Sequence, residues 1–141
     1  MGSWYWIGVA AGIGTGAGVA IGALIPEGRK GMTVAVAAVL AVAAGIGIGL
    51  LIGDWPEAAA GGIGGLLGAL ASVPIVAAAV RGGGTRLGLA FLVAMVGLVL
   101  AGVAFIPVVG YLAAIVVPAY AFRLSRRGPD RHAGLRILAK D

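Results

Sequence analysis

The sequence contains no cysteine, which excludes disulfides, thiolate metal sites and cysteine nucleophiles, and leaves the redox compartment open. Charge is scarce: 11% of the 141 residues are Asp, Glu, Lys or Arg, against about 25% in soluble domains. Only Glu27, Asp54, Glu57, Asp130 and Asp141 are acidic, and His132 is the single histidine. All six lie outside the long apolar runs. Carboxylates and imidazoles inside a membrane mark ion paths and proton relays, and this sequence places none there. No nucleophile–base pair and no metal cluster is apparent, so neither an enzyme nor a cofactor is expected. The segment Arg81-Gly82-Gly83-Gly84-Thr85-Arg86 is glycine-rich but lacks the Lys-Ser/Thr that completes a phosphate loop.

Hydrophobic residues make up 61% of the chain, glycine contributes 27 residues, and the mean hydropathy is +1.11. So short a chain with so little charge has too few polar groups to cover its surface in water. A lipid-facing exterior removes that requirement. The expected fold is all-α, a polytopic transmembrane helix bundle.

Apolar runs over 4–25, 33–52 and 58–80 each match the roughly 20 residues that cross a bilayer as a helix. Pro-, Gly- and charge-containing breaks separate them. Leu87 to Phe122 carries no charge and would be about 54 Å long as one helix, too long for one crossing. Pro107 sits near its middle, so the run divides into spans of about 86–105 and 107–124. The transmembrane domain then covers 1–124 and a basic cytoplasmic tail 125–141.

Loops one and three carry Arg29, Lys30, Arg81 and Arg86, whereas loop two carries only Asp54 and Glu57. The positive-inside rule places the basic loops in the cytoplasm and the amino terminus outside. Five spans return the tail to the cytoplasmic side of a cytoplasmic (inner) membrane. Four spans, the last long and kinked, are the alternative. The amino terminus lacks a basic n-region and reads as a span, not a cleavable signal. Trp4, Tyr5, Trp6 and Trp55 fall on the outer side, as interfacial anchors do.

The glycines are ordered. Gly8, Gly12 and Gly16 are four apart, as are Gly14, Gly18 and Gly22 in the same helix. Gly45, Gly49 and Gly53 follow in helix two, and Gly61 with Gly65, and Gly64 with Gly68, in helix three. Spacing four sets residues on one helix face, and in lipid such faces permit close helix–helix approach. Glycine-zipper packing is therefore expected, within one protomer or with one of the two rows of helix one meeting another protomer. Gly12-Ile13-Gly14 and Gly62-Ile63-Gly64 also suggest two tandem helical hairpins.

The alternation Gly12, Gly14, Gly16, Gly18 resembles the first helix of rotary ATPase proteolipids. That resemblance implies a membrane-embedded carboxylate in the second helix of a hairpin. The segment 33–52 has no Asp, Glu, Asn or Gln, so ion translocation of that kind is excluded.

Thr15 and Ser72 are expected to bond within the bundle. Asp54 and Glu57 are expected to be solvated rather than to share a metal or a proton. Pro74 and Pro118 are expected to act as kinks. Arg123, Arg126, Arg127 and Arg131 are candidates for lipid headgroup contact, and 129–140 is either a surface helix or a disordered basic stop signal that only fixes topology. The expected partners are the bilayer with its anionic lipids, and further copies of the chain or subunits of a membrane complex, but not nucleic acid. Two functions remain open: a structural, interaction or self-assembling membrane component, and a small channel or transporter for an uncharged or lipidic substrate.

Overall fold

The computed structural model describes residues 3–25, 30–81, 85–106 and 108–126. The described chain is all-helical: α1 (Ser3–Leu24), α2 (Lys30–Ile52), α3 (Trp55–Arg81), α4 (Arg86–Val103) and α5 (Val109–Arg126). Three of these helices, α1 to α3, are long and apolar enough to cross a membrane, and α4 is a shorter apolar helix. Residues 26–29 of loop one, 82–84 of loop three, Pro107 and residues 127–141, including Arg127 and Arg131, lie outside the described residues.

The helix ends follow from local chemistry. Asp54 opens α3: its carbonyl accepts from Ala58 N–H at 3.0 Å, and the Glu57 carboxylate accepts from Asp54 N–H at 3.0 Å. This is half of a capping box. Pro56 sits in the first turn, where its missing N–H removes no helical bond. Thr85 is extended before α4. Between α4 and α5 the chain turns through Ala104 to Val108, with Ile106 N–H donating to Val103 O and Val109 N–H to Ile106 O. Val108 has φ 76°, a left-handed conformation that strains a β-branched residue.

The close approaches fix the relative directions of the helices. Gly14 abuts Gly61 and Gly18 abuts Gly65, so α1 and α3 run parallel. Gly45 meets Gly61 and Gly49 meets Ala58, so α2 runs against both. Gly12 meets Ala104 and Gly16 meets Gly97, so α4 also opposes α1. Gly8 lies on Gly110, and both Val19 and Val117 belong to or pack on one apolar cluster further along, so α5 runs with α1. Helix α1 touches all four others and is the centre of the bundle, while α4 and α5 barely touch each other.

The interior is built from small residues. Ala10, Ala41, Ala58, Ala71, Ala104, Val9 and Val19 are buried, while Leu51, Leu87, Ile115 and many other large aliphatics are exposed. In water this distribution would be unfavourable. In lipid an exposed leucine meets a solvent as apolar as itself, and small residues inside allow close backbone contact.

Substitutions at two glycines separate these roles. A β-carbon at Gly18 would overlap the Gly65 carbonyl, whereas one at Gly47 meets nothing within 4 Å. Gly18→Val is expected to lower stability by about 1–3 kcal/mol or more, and Gly47→Ala to leave it unchanged or raise it by up to about 1 kcal/mol. Unfolding midpoints in detergent check this, and equal effects at the two positions would contradict the packing described.

Candidate functional site

Each polar side chain in the bundle interior has a local partner. Thr15 Oγ1 donates to Ala11 O at 2.8 Å, and Ser72 Oγ donates to Ala69 O at 2.7 Å. Both side chains are fully buried. These bonds hold the hydroxyls against their own helix, as the sequence suggests. Among the described residues no buried side-chain nitrogen or oxygen lacks a partner, and no group of three or more His, Cys, Asp or Glu could hold a metal.

The helix directions sort the remaining polar residues to opposite ends of the bundle. The starts of α1, α3 and α5 gather Trp4, Trp55, Tyr5 and Tyr111, together with Asp54 and Glu57. The other end collects the start of α2 at Lys30, the end of α3 at Arg81, the start of α4 at Arg86, and Arg123 and Arg126 of α5.

At the aromatic end Trp4 and Trp55 are each 76% exposed. Tyr5 OH donates to Phe105 O at 2.8 Å, and Tyr111 OH donates to Trp4 O. These two bonds fasten the α4–α5 turn and the start of α5 to the start of α1. Their partners are about a hundred positions apart, and no local pattern announces them.

Glu57 corrects an expectation. It is buried, and its carboxylate accepts from Asp54 N–H instead of standing in solvent. The reason is that α3 begins at Trp55, which puts Glu57 in its first turn. The Asp54-x-x-Glu57 spacing is the signal that identifies this cap.

The glycine rows of α1 have separate neighbours within the chain. A β-carbon at Gly8 would strike Tyr111, at Gly12 it would lie 2.6 Å from Gly110 Cα, and at Gly16 2.8 Å from Ala101 N. Gly14 and Gly18 meet α3, and Gly22 meets Ser72 there. On α2, Gly45 and Gly49 meet α3, and Gly53 rests on the Glu57 side chain. Gly61 serves two partners: its carbonyl occupies the space beside Gly14 and beside Gly45. Gly65 lies between Ala41 of α2 and Gly18 of α1.

At the basic end Arg123 and Arg126 are exposed, and the Arg126 guanidinium sits 4.2 Å from the centre of the Phe122 ring. Two apolar clefts open from the bundle. One, of about 340 Å³, separates α4 from α5 and is floored by Val19 and Ile75; Val93, Gly97, Val117 and Tyr120 are among its walls. Another, of about 260 Å³, lies between the end of α1, the start of α2 and α3, beside Thr33, Ala37 and Ser72. Pro74 and Pro118 face a common groove between α3 and α5.

Comparison with known proteins gives no match: no family model fits the sequence, and no curated protein or solved structure is significantly similar to it.

Replacing Glu57 by Ala leaves Asp54 N–H unpaired and is expected to cost about 1 kcal/mol. Thermal unfolding of the variant in detergent measures it, and an unchanged midpoint would show that the cap is not needed.

Proposed function

We propose that the protein is a structural, self-assembling component of the cytoplasmic membrane rather than an enzyme, and that α2 is its assembly face. The observation that carries this is the exposure of α2. Only 22% of the α2 span is buried, against 67% of α1, yet its outward side carries exposed Ala43 and Gly47 four residues apart. Gly47 is in mid-helix, has nothing within 4 Å of a would-be β-carbon, and weakens the helix relative to alanine. A small-xxx-small pair on a lipid-facing helix suits close approach of a second copy. Gly12 and Gly16 are already engaged by α4 and α5, so substitutions there report on folding rather than assembly.

This reading takes the interior as a glycine zipper and the chain as a tandem pair of hairpins with one added helix. Reciprocal packing supports the repeat: α2 packs mainly on α3, and α4 mainly on α1, so each hairpin's second helix rests on the first helix of the other. In this reading all five helices cross the bilayer, with the amino terminus outside and the carboxyl terminus inside. The support is the separation of Lys30, Arg81, Arg86, Arg123 and Arg126 from Asp54 and Glu57 at opposite ends.

Two experiments test the proposal. Gly47→Leu is expected to abolish self-association in membranes, read by single-molecule photobleaching, while Gly47→Ala retains it and both keep the native unfolding midpoint. A native chain that bleaches only in single steps would overturn the assembly role. Because the sequence has no cysteine, Asp54→Cys and Thr85→Cys make clean topology probes. The first is expected to react with an impermeant maleimide from the outside of intact cells and the second only after lysis. The reverse pattern would invert the orientation.

A further inference from the structure

We infer that the cleft between α4 and α5 is a binding site for one acyl chain of an anionic phospholipid, whose headgroup is held by Arg123. The inference rests on the shape of the cleft, its chemistry and the position of one cation.

The two helices leave the turn after α4 and diverge, α4 resting mainly on α1 and α5 equally on α1 and α3, with little contact between them. The space between them is about 340 Å³, with an entirely apolar lining and a floor of Val19 and Ile75. An apolar cavity of about 150 Å³ takes a benzene molecule, so this one has room for a longer stretch of hydrocarbon. Val96, Val116 and Tyr120 stand at its rim and are exposed, so the cleft opens sideways, where a chain enters from the bilayer without crossing water.

Charge supplies the choice of lipid. Arg123 follows Tyr120 by three positions and Val116 by seven, which sets it on the cleft-facing side of α5 about one turn nearer the basic end. Its side chain is exposed. Arg126 points elsewhere: its guanidinium lies over Phe122, which belongs to the groove between α3 and α5. Among the described side chains Arg123 is thus the cation at the headgroup end of the apolar slot, the arrangement that favours an anionic phosphodiester over a zwitterionic one. One arginine near an anionic headgroup contributes on the order of a fivefold preference.

The test uses the full chain, extracted from vesicles of phosphatidylcholine and phosphatidylglycerol and weighed with its retained lipid by native mass spectrometry. The expected result is one phosphatidylglycerol retained per chain. Arg123→Gln lowers its excess over phosphatidylcholine about fivefold, Arg126→Gln leaves the excess unchanged, and Val117→Phe, which fills the cleft, removes both lipids. Val96→Phe at the rim repeats the blocking test if Val117→Phe fails to fold. Equal losses from Arg123→Gln and Arg126→Gln would mean diffuse surface attraction and would overturn the site. Retention unchanged by both cleft-filling variants would do the same. A change in oligomeric mass without a change in retained lipid would assign the cleft to a second copy and also overturn it. The α2 assembly face is read independently of these variants, through Gly47.

Discussion

The distance at which two helix backbones can approach sets the rest of this structure. Where glycine removes the β-carbon, its Cα–H points at a carbonyl oxygen of the facing helix. Gly16 and Gly97 do this for each other, as do Gly45 and Gly61, while Gly14 and Gly18 each face one carbonyl of α3. Such Cα–H···O contacts are worth about 0.5–1 kcal/mol each. In lipid, where burying leucine against leucine gains little over leaving it among acyl chains, contacts of this size decide which helices pair.

That constraint explains the placement of α1. It is the only described helix with two rows of three glycines, and with α3 it is one of two helices that touch every other. One row admits α3, and the other admits α4 and the start of α5. The same constraint places the bulky aliphatics of α2 and α4 outside, since a leucine between α1 and α3 would hold the backbones apart. The hydroxyls fit the same geometry. Thr15 and Ser72 bond to carbonyls of their own helices, so they reach full burial in the tightest interface without needing a partner across it.

Much of this was legible in the sequence because it depends on local spacing. The glycine rows could be read at period four, and the apolar runs and their breaks located the helices. The break near Pro107 was legible too, since 36 uncharged residues exceed one crossing. What stayed hidden depends on contacts between distant segments. The assignment of each row to a particular neighbour needs the direction and order of the helices, which composition does not encode. The bonds of Tyr5 to Phe105 and Tyr111 to Trp4 were invisible for the same reason. Glu57 is a different case: its Asp-x-x-Glu spacing is readable, but the apolar run begins one position after it, and hydropathy alone therefore assigns it to the loop. Charge at a helix start is as much part of the helix as the hydrophobic stretch that follows.

A bundle that satisfies its interior polar groups with its own backbone has little chemistry left in its core. Any specificity must then come from the periphery, where the packing is incomplete. Two such places stand out, and both arise from the central position of α1 and α3. Helix α2 packs mainly on α3 and leaves most of its span exposed, and α4 and α5 pack on α1 and α3 rather than on each other. The exposed side of α2 and the slot between α4 and α5 are thus consequences of how the glycine rows distribute their neighbours. A chain with bulkier residues at Gly12, Gly16 and Gly110 would hold α4 and α5 away from α1, and the slot floored by Val19 would lose its definition.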